Sequence, residues 1–461
     1  MELNWVTPKI IIDILDANSY QKKYIQNLII LNQCGLELKK LFTLCEDIYR
    51  GNTPKHVEGS LQNGALLLKT VNIRSNELDL GKQFSMTNSV YFEQKRFQLK
   101  ENDICITIMG ATHDIIGRSW VYNKKIGNAC FSDGIAKIKN VVIDPYYLST
   151  YLNSKYGHLS IIQFSGSSTR SYITNTQLGE ILVPIPSPEI QKYVGDKVRK
   201  AEELREEAKT LQKEIDILLE VDMLLKEETD KVYNIYDSKI NWTNEINIED
   251  RIDPNFYQKK YISTIEKLGN NKVRLEKYVR ITKIRYQTGN INKYIEISSI
   301  NNSFGTIDEV EELRPEEIPT SAKYQVKEGD ILVSLVRPTR KAISIVTKEY
   351  DNAICTGGFA VLQSKGKVPV EFLTAVLRTN FVGIQFERYC AGSTYPTINE
   401  DDVVKVFIPM YSENQINKIT ENYRRIIDNI YTSKKLIEEA KQDVEDLIEG
   451  NFDMSKVKAN S

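Results

Sequence analysis

The sequence predicts an α+β protein built twice: two β-rich domains, each followed by a long helix, with the two helices pairing as a coiled coil. Three observations predict it. The hexapeptide Tyr20-Gln21-Lys22-Lys23-Tyr24-Ile25 returns as Tyr257-Gln258-Lys259-Lys260-Tyr261-Ile262. At the same offset Asn4-Trp5 pairs with Asn241-Trp242, and Asp16 with Asp253. A set of short landmarks then recurs in the same order in both halves, and each half closes on a heptad-patterned stretch. Self-similarity at a fixed offset marks a duplicated unit.

Each element has a local reason. The run 10–15 and the hexapeptide open the first copy, with a helix expected through 20–31. The segment Leu36-Glu37-Leu38-Lys39-Lys40-Leu41 matches Val273-Arg274-Leu275-Glu276-Lys277-Tyr278, each reading as an entry strand or turn. From about 42 to 183 the pattern is short and strand-like, with 65–71 as one apolar run. Leu99-Lys100-Glu101-Asn102-Asp103 is a turn feeding Ile104-Cys105-Ile106-Thr107-Ile108-Met109; Val326-Lys327-Glu328-Gly329-Asp330 feeds Ile331-Leu332-Val333-Ser334-Leu335-Val336. β-Branched residues bounded by Gly and Asn favour strands. Each of these strands runs into a polar, basic loop, 110–118 in the first copy and 337–341 in the second. Asn128-Ala129-Cys130 corresponds to Asn352-Ala353-Ile354-Cys355, and the Gly-Ser-Thr block at 166–173 to that at 392–398. Both copies end on a strand stopped by proline, at Pro184 and Pro409.

After each stop a helix begins. Ser187-Pro188-Glu189 supplies an N-cap, a proline at the first helical position and an early carboxylate. Ser412-Glu413-Asn414-Gln415 has capping-box spacing. Ala201, Leu204, Ala208, Leu211, Ile215 and Leu218 step by three and four residues. So do Ile416, Ile419, Tyr423, Ile426, Ile430, Ile437, Ala440, Val444 and Leu447, with Ser433 as a polar gap. Charged faces flank these seams at Glu202-Glu203, Glu206-Glu207, Lys434-Lys435 and Glu438-Glu439. A narrow seam between charged faces is a coiled-coil pattern. Helices of about 35–40 residues reach about 55 Å at 1.5 Å per residue. Heptads alone do not separate parallel from antiparallel pairing.

Composition bounds the function. The 461 residues allow two to four domains. With 61 Lys+Arg against 62 Asp+Glu the net charge is −1, so nucleic acid would be met by local patches rather than bulk charge. No apolar run reaches membrane-spanning length. No secretory signal is expected, and Cys34, Cys45, Cys105, Cys130, Cys355 and Cys390 form no C-x-x-C pair, so reduced thiols in a cytoplasmic protein are expected. His56, His113 and His158 lack metal-ligand spacing. There is no P-loop, no G-x-G-x-x-G after a strand, no G-x-S-x-G elbow, and no Asn-Pro-Pro-Tyr or Asp-Pro-Pro-Tyr of the amino-methyltransferases. That favours a binding protein over an enzyme.

The candidate DNA-binding residues lie in the β-rich regions. In the first copy they are Lys69, Asn72, Arg74, Arg118, Arg170 and Tyr172. In the second they are Arg285, Arg337, Arg340, Lys341 and Tyr395. Arginine pairs bidentately with guanine, asparagine reads adenine, and lysine neutralises phosphates.

Taken in order, these landmarks resemble the specificity (S) subunit of a type I restriction–modification system. The resemblance rests on Arg251-Ile252-Asp253-Pro254-Asn255-Phe256-Tyr257, the Gly-Asp-Ile-Leu strand at 329–332, the Gly-Ser-Thr blocks, and the proline stops followed by Glu189-x-Gln191 and Glu413-x-Gln415. Two departures stand in the first copy: Ile14 at the place of Arg251, and Asn102 at the place of Gly329. The resemblance implies two target-recognition domains joined by an antiparallel coiled coil with pseudo-twofold repeat. The expected boundaries are an N-terminal segment 1–34, recognition domain 35–186, helix 187–232, linker with the repeated segment 233–271, recognition domain 272–411, helix 412–450 and tail 451–461. It also implies a non-catalytic chain that reads a bipartite asymmetric DNA site. That chain binds no cofactor and recruits two adenine-methylating subunits, which use S-adenosylmethionine, together with ATP-dependent restriction subunits. The coiled coil would act as ruler and docking surface, and the hexapeptides as structural bases packed near the long helices or facing the partners. A coiled-coil scaffold with protein-binding heads and a divergent stand-alone DNA-modifying enzyme are the alternatives.

Overall fold

A computed structural model describes residues 17–54, 64–165, 171–219, 253–269, 272–308, 310–392 and 394–459. It divides into two compact units, Met1–Leu204 with Tyr431–Ser461, and Arg205–Ile430.

In the first unit the entry strand Glu37–Lys40 pairs antiparallel with the exit strand Leu182–Ile185, so the domain's two ends meet. Between them an antiparallel sheet runs in the order Asp47–Arg50, Ile135–Lys139, Ile104–Thr107, Ser119–Val121. A second sheet places Ala65–Leu68 parallel to Ala129–Phe131 and antiparallel to Ser85–Met86. A tight hairpin, Ile73–Arg74 with Glu77–Leu78, turns at Asn76. The second unit repeats this plan. Lys272–Arg274 pairs with Phe407–Pro409. The main sheet runs Val279–Ile281, Phe359–Ser364, Ile331–Ser334, Ile343–Ile345. Asn292–Ile295 lies parallel to Ile354–Thr356, and Ile300–Asn301 turns back as Thr306–Ile307.

The turn into the central strand shows how the first copy tolerates its departure. Asn102 and Gly329 both sit in the left-handed region, at φ 69° and 84°. Asp103 accepts the Lys100 N–H at 2.8 Å, and Asp330 accepts the Lys327 N–H at 2.9 Å. Asparagine is among the few residues that visit this region readily, so the same turn forms from either. The other departure, Ile14 against Arg251, lies outside the described residues, as do Asn4-Trp5 and Asn241-Trp242.

The strand-like reading of 42–183 requires correction. Each domain carries two consecutive helices, Pro145–Asn153 and Lys155–Ile162 in the first and Val370–Leu377 and Asn380–Tyr389 in the second. Seven consecutive residues, Tyr146 to Leu152, are buried, so no amphipathic stripe announced the helix. Its N-cap did: the Asp144 carboxylate accepts the Tyr146 and Tyr147 N–H groups at 2.9 and 3.1 Å, with Pro145 behind it.

The helices that carry the hexapeptides pack on the second helix of each pair, and Tyr257 also packs against the core to which the long helices contribute. In the first unit Lys22–Gln33 lies along Lys155–Ile162, with the Asn27 amide donating to the Tyr156 carbonyl at 3.2 Å and to Ser160 Oγ at 3.0 Å. In the second, Lys260 pairs with Glu387 at 3.0 Å, and Arg388 Nε donates to the Phe256 carbonyl at 3.0 Å. The lysine aliphatic stems let each ammonium lie over the next tyrosine ring, Lys23 over Tyr24 at 4.8 Å and Lys260 over Tyr261 at 4.6 Å.

The long helices are Pro188–Leu218, with 31 residues, and Glu413–Glu449, with 37. The remainder of the expected first helix, 220–232, lies outside the described residues. In the first unit Lys197 meets Asp443 at 2.5 Å and Glu439 at 3.4 Å. In the second, Arg425 pairs with Glu207 and Asn422 donates to Glu214 at 3.1 Å. The helix segments run antiparallel within each unit. Their apolar faces are wider than a two-helix seam. Val194, Val198, Ala440, Val444 and Ile448 join the core around Tyr147 and Leu152. Ala208, Leu211, Ile215, Ile419, Tyr423 and Ile426 join the core around Phe372 and Val376. At the helix ends Leu219 and Ile448 are buried in place of the expected Leu218 and Leu447. Nor is Glu202 a solvated charge: it accepts from Trp120 Nε1 at 3.1 Å and from the Tyr146 hydroxyl at 3.0 Å.

Candidate nucleic-acid interface

In the second unit the strand Ile331–Ser334 emerges into the basic loop. Two contacts fasten its start to the Gly-Ser-Thr block: Arg337 N–H donates to the Pro396 carbonyl at 2.8 Å, and Ile398 N–H to the Leu335 carbonyl at 3.0 Å. The Arg337 guanidinium lies 4.4 Å from the Tyr395 ring centre, and its Nη2 donates to the Thr394 carbonyl at 3.3 Å. Tyr395 is 66% exposed. Arg340 is exposed on the same loop. Arg337 and Lys341 both hold left-handed backbone, at φ 47° and 62°. Such a conformation costs a non-glycine residue about 1–3 kcal/mol and clusters at working sites. Arg337 carries it directly before Pro338, where extended backbone is the preferred conformation.

Arg285 is exposed, and its backbone bridges Tyr324. Around that bridge stands a cluster the sequence reading missed. Glu400 accepts from Lys283 at 2.5 Å and from the Tyr324 hydroxyl at 3.1 Å, and forms an ion pair with Lys323 at 3.6 Å. Burial pushes its carboxyl up, but the hydrogen bonds from Lys283 and Tyr324 and the nearby ammonium charges outweigh this and hold it below the ordinary carboxylate range.

The first unit distributes its candidates differently. Arg118 is folded back on its own loop, with Nη2 on the Asp114 carboxylate at 2.7 Å and Nε on the Asp114 carbonyl at 2.8 Å. It lines a cavity of about 220 Å³ with Ser75, Lys155 and His158. Burial depresses the His158 imidazole below its usual value. Arg74 is exposed and paired with Asp79 at 3.2 Å. The Lys69 ammonium lies 3.8 Å from the Phe84 ring centre. Asn72 is corrected from base reader to structural residue. It is 1% exposed, donates to the Asp79 and Lys82 carbonyls at 2.8 and 2.7 Å, and accepts the Lys69 N–H at 2.9 Å. Buried asparagines used this fully fold loops and have nothing left to offer a base edge. Tyr172 is half-exposed under Arg50, whose guanidinium lies 5.8 Å from its ring. Arg170 lies outside the described residues.

Arg50 is a further residue that the sequence reading missed. Ile48 pairs through Ile138 to Ile104, and Ile281 pairs through Leu362 to Ile331. Arg50 and Lys283 are therefore equivalent, each two residues beyond the aligned isoleucine. Each reaches the Gly-Ser-Thr end of its domain, Arg50 at Tyr172 and Lys283 at Glu400. The same register makes Tyr172 equivalent to Thr397, since Tyr172 pairs with Met109 and Thr397 with Val336.

Residues 47–216 match the family model of the type I restriction modification DNA specificity domain. That span, 47–216, is thus similar to the DNA specificity domain of type I restriction–modification systems. The matched span holds the first unit's sheets apart from the entry strand Glu37–Lys40, its basic loop and most of the first long helix. The specificity subunit of the type I restriction enzyme EcoBI from Escherichia coli is 27% identical over 158 residues, 34% of this chain and 32% of that protein. The HindI specificity subunit from Haemophilus influenzae is 24% identical over 151 residues, 32% of this chain and 33% of that protein. The aligned stretch thus spans about a third of the length of these curated relatives. Among solved structures, the type I S subunit from M. genitalium is 13% identical, covering 91% of this chain and 97% of its own, at a TM-score of 0.39. The HsdS subunit from Thermoanaerobacter tengcongensis is 14% identical with 91% and 97% coverage, at a TM-score of 0.30. Apart from helix residues 205–216, the second unit lies outside the matched span, and its likeness to the first unit rests on strand-by-strand register. Among the described residues no helix is long and apolar enough to cross a membrane, and no cluster of three metal-ligating side chains occurs.

Proposed function

We propose that the chain is a DNA-reading specificity subunit. Its two β-rich units are target-recognition domains, each addressing one half of a bipartite, asymmetric site, and the paired long helices join them as an antiparallel coiled coil that sets the spacer. The observation that carries this is the repeat of the specificity-domain frame with different side chains at equivalent loop positions. Arg50 and Tyr172 stand where the second copy has Lys283 and Thr397, and Gly110 where it has Arg337. A shared frame with unlike loops suits two unlike half-sites. Arg337, Arg340 and Tyr395 form the reading edge of the second unit, supported by Arg285, Lys283, Lys323 and Lys341. Arg50, Arg74, Arg118, Lys69, Tyr172 and Arg170 serve the first.

On this reading the chain is not catalytic and holds no cofactor. Two methyltransferase subunits supply S-adenosylmethionine and extrude the adenine they modify, and ATP-dependent restriction subunits join that complex. Mapping adenine methylation in host DNA with and without the chain tests it. One asymmetric split motif that vanishes with the chain is expected; an unchanged methylation map contradicts it. Methyl transfer by the chain alone would favour the stand-alone enzyme instead.

A further inference from the structure

One position at the end of a domain helix, buried in the second unit and partly buried in the first, performs the same task in both units with different chemistry. In the second unit Arg378 ends the helix Val370–Leu377 and is 6% exposed. Its guanidinium is held by backbone carbonyls. Nη1 donates to Lys341 at 2.8 Å and to Ile343 at 3.2 Å, and Nη2 to Asn302 at 2.9 Å. Nε has no hydrogen-bond partner among the described residues. The bonds tie two segments together: the far end of the basic loop and the hairpin turn between Ile300–Asn301 and Thr306–Ile307. Gly305 in that turn is fitted around the arginine. A Cβ there would stand 2.7 Å from Arg378 Nη1 and 2.6 Å from the Tyr423 hydroxyl.

In the first unit Asn153 ends the equivalent helix Pro145–Asn153. Its Nδ2 donates to Ser119 O at 2.8 Å, Asn76 Oδ1 at 3.0 Å and Ser149 O at 2.9 Å, and its Oδ1 accepts the Ser119 N–H at 2.9 Å. Ser119 and Ile343 both open the strand that follows the basic loop, and Asn76 sits in the equivalent hairpin turn. Position by position, Asn153 and Arg378 bolt the loop's exit to the same hairpin.

The choice of arginine is informative. Burying a cation among carbonyls is expensive, and an apolar side chain of similar volume is often neutral or better for stability. A planar guanidinium does what an apolar side chain cannot: it fixes three carbonyls of two segments in one geometry. One of them belongs to Lys341, a left-handed residue. We propose that Arg378 and Asn153 are positioning residues for the two recognition loops, setting the presentation of 336–342 and 110–118 without touching DNA. This rests on the DNA-reading function proposed above.

The test measures loop order and DNA reading separately on the full chain. Amide hydrogen exchange is followed without DNA in R378M, in the charge-conserving R378K, and in N153A. Loss of hydrogen bonds worth about 1 kcal/mol each speeds local opening about five- to tenfold per bond. R378M is expected to speed exchange at 336–343 about tenfold or more while 110–119 keeps its rate. R378K, with one donor head, is expected to fall between, and N153A to show the reverse pattern. If R378M does not fold, R378K carries the test. Unchanged exchange at 336–343 in R378K and R378M, or acceleration spread evenly over the second unit's core strands, overturns the positioning role. With its methyltransferase partner, R378K is expected to lose discrimination about tenfold in one half-site only. A loosened loop with both half-site preferences intact upholds positioning and overturns DNA reading by that loop.

Discussion

Replacing Lys137 by Met leaves a carboxylate stranded in the first unit's core. Lys137 and Asp103 pair at 3.0 Å with side chains only 2% and 1% exposed. The ammonium also donates to the Gln98 carbonyl at 2.9 Å and lies 5.0 Å from the Tyr49 ring centre. Without it, Asp103 retains the Lys100 N–H as its hydrogen-bond donor. Removing one partner of a buried pair costs about 3–5 kcal/mol, because the remaining charge is uncompensated. At about 2–4 °C per kcal/mol for a unit of this size, the first unit should melt about 6–20 °C lower. The double variant Lys137→Met with Asp103→Asn should recover most of that, since the amide still accepts the Lys100 N–H. Differential scanning calorimetry, with hydrogen exchange along Ile104–Thr107 to assign the transition, reads both. The second unit is an internal control. Asp330 makes the same turn, but Val361 stands where Lys137 would be, by register through Leu332 and Cys105. Burial there raises the Asp330 carboxyl above its usual value, opposed by the Lys327 N–H. A raised carboxyl favours the folded state at low pH, and that contribution is lost as pH rises through the folded value. Asp330→Asn should therefore leave the second unit no less stable at pH 7. A drop below about 1 kcal/mol for Lys137→Met refutes the reasoning.

Three further outcomes follow from the same geometry. Arg337→Ala and Tyr395→Ala should each weaken specific DNA binding by about 1–3 kcal/mol and relax one half-site, read by competition between matched and mismatched duplexes; equal loss on all sequences would make them phosphate contacts. Glu400→Gln frees Lys283 and Lys323, so the slope of log affinity against log salt should steepen by about 0.9 for each lysine that reaches a phosphate. An unchanged slope would leave both lysines as purely structural partners of Tyr324. For His158, burial holds the folded imidazole below its unfolded value of about 6.5. Its contribution is present above that pH and lost as pH falls through the folded value, so His158→Gln should flatten the decline of first-unit stability below about pH 6.5. An identical acid limb would contradict this.

What the sequence made legible was the frame. The duplication, the entry and exit strands, the turns at Asp103 and Asp330, and the capping box in which Ser412 and Gln415 reciprocate all came from short-range chemistry. Two kinds of feature did not. The first helix of each pair, Pro145–Asn153 and Val370–Leu377, is buried on nearly all sides, so it read as a buried strand; only Asp144-Pro145, Ser154 and Thr379 marked caps. Site residues whose role depends on a partner far along the chain were equally hidden. Asn72 looked like a reader because its type is right, but it folds back on its own loop. Arg50 and Lys283 looked like ordinary strand ends until register made them equivalent. Arg337 and Tyr395 were singled out one by one, and only the fold sets one against the other.

The most direct test of the account is selection of binding sites from random duplex DNA by the full chain with its methyltransferase partner. The account predicts one enriched sequence of two unlike half-sites separated by an unread spacer of fixed length, with R337A degrading one half only. Enrichment of a single undivided motif, or none at all, would contradict it.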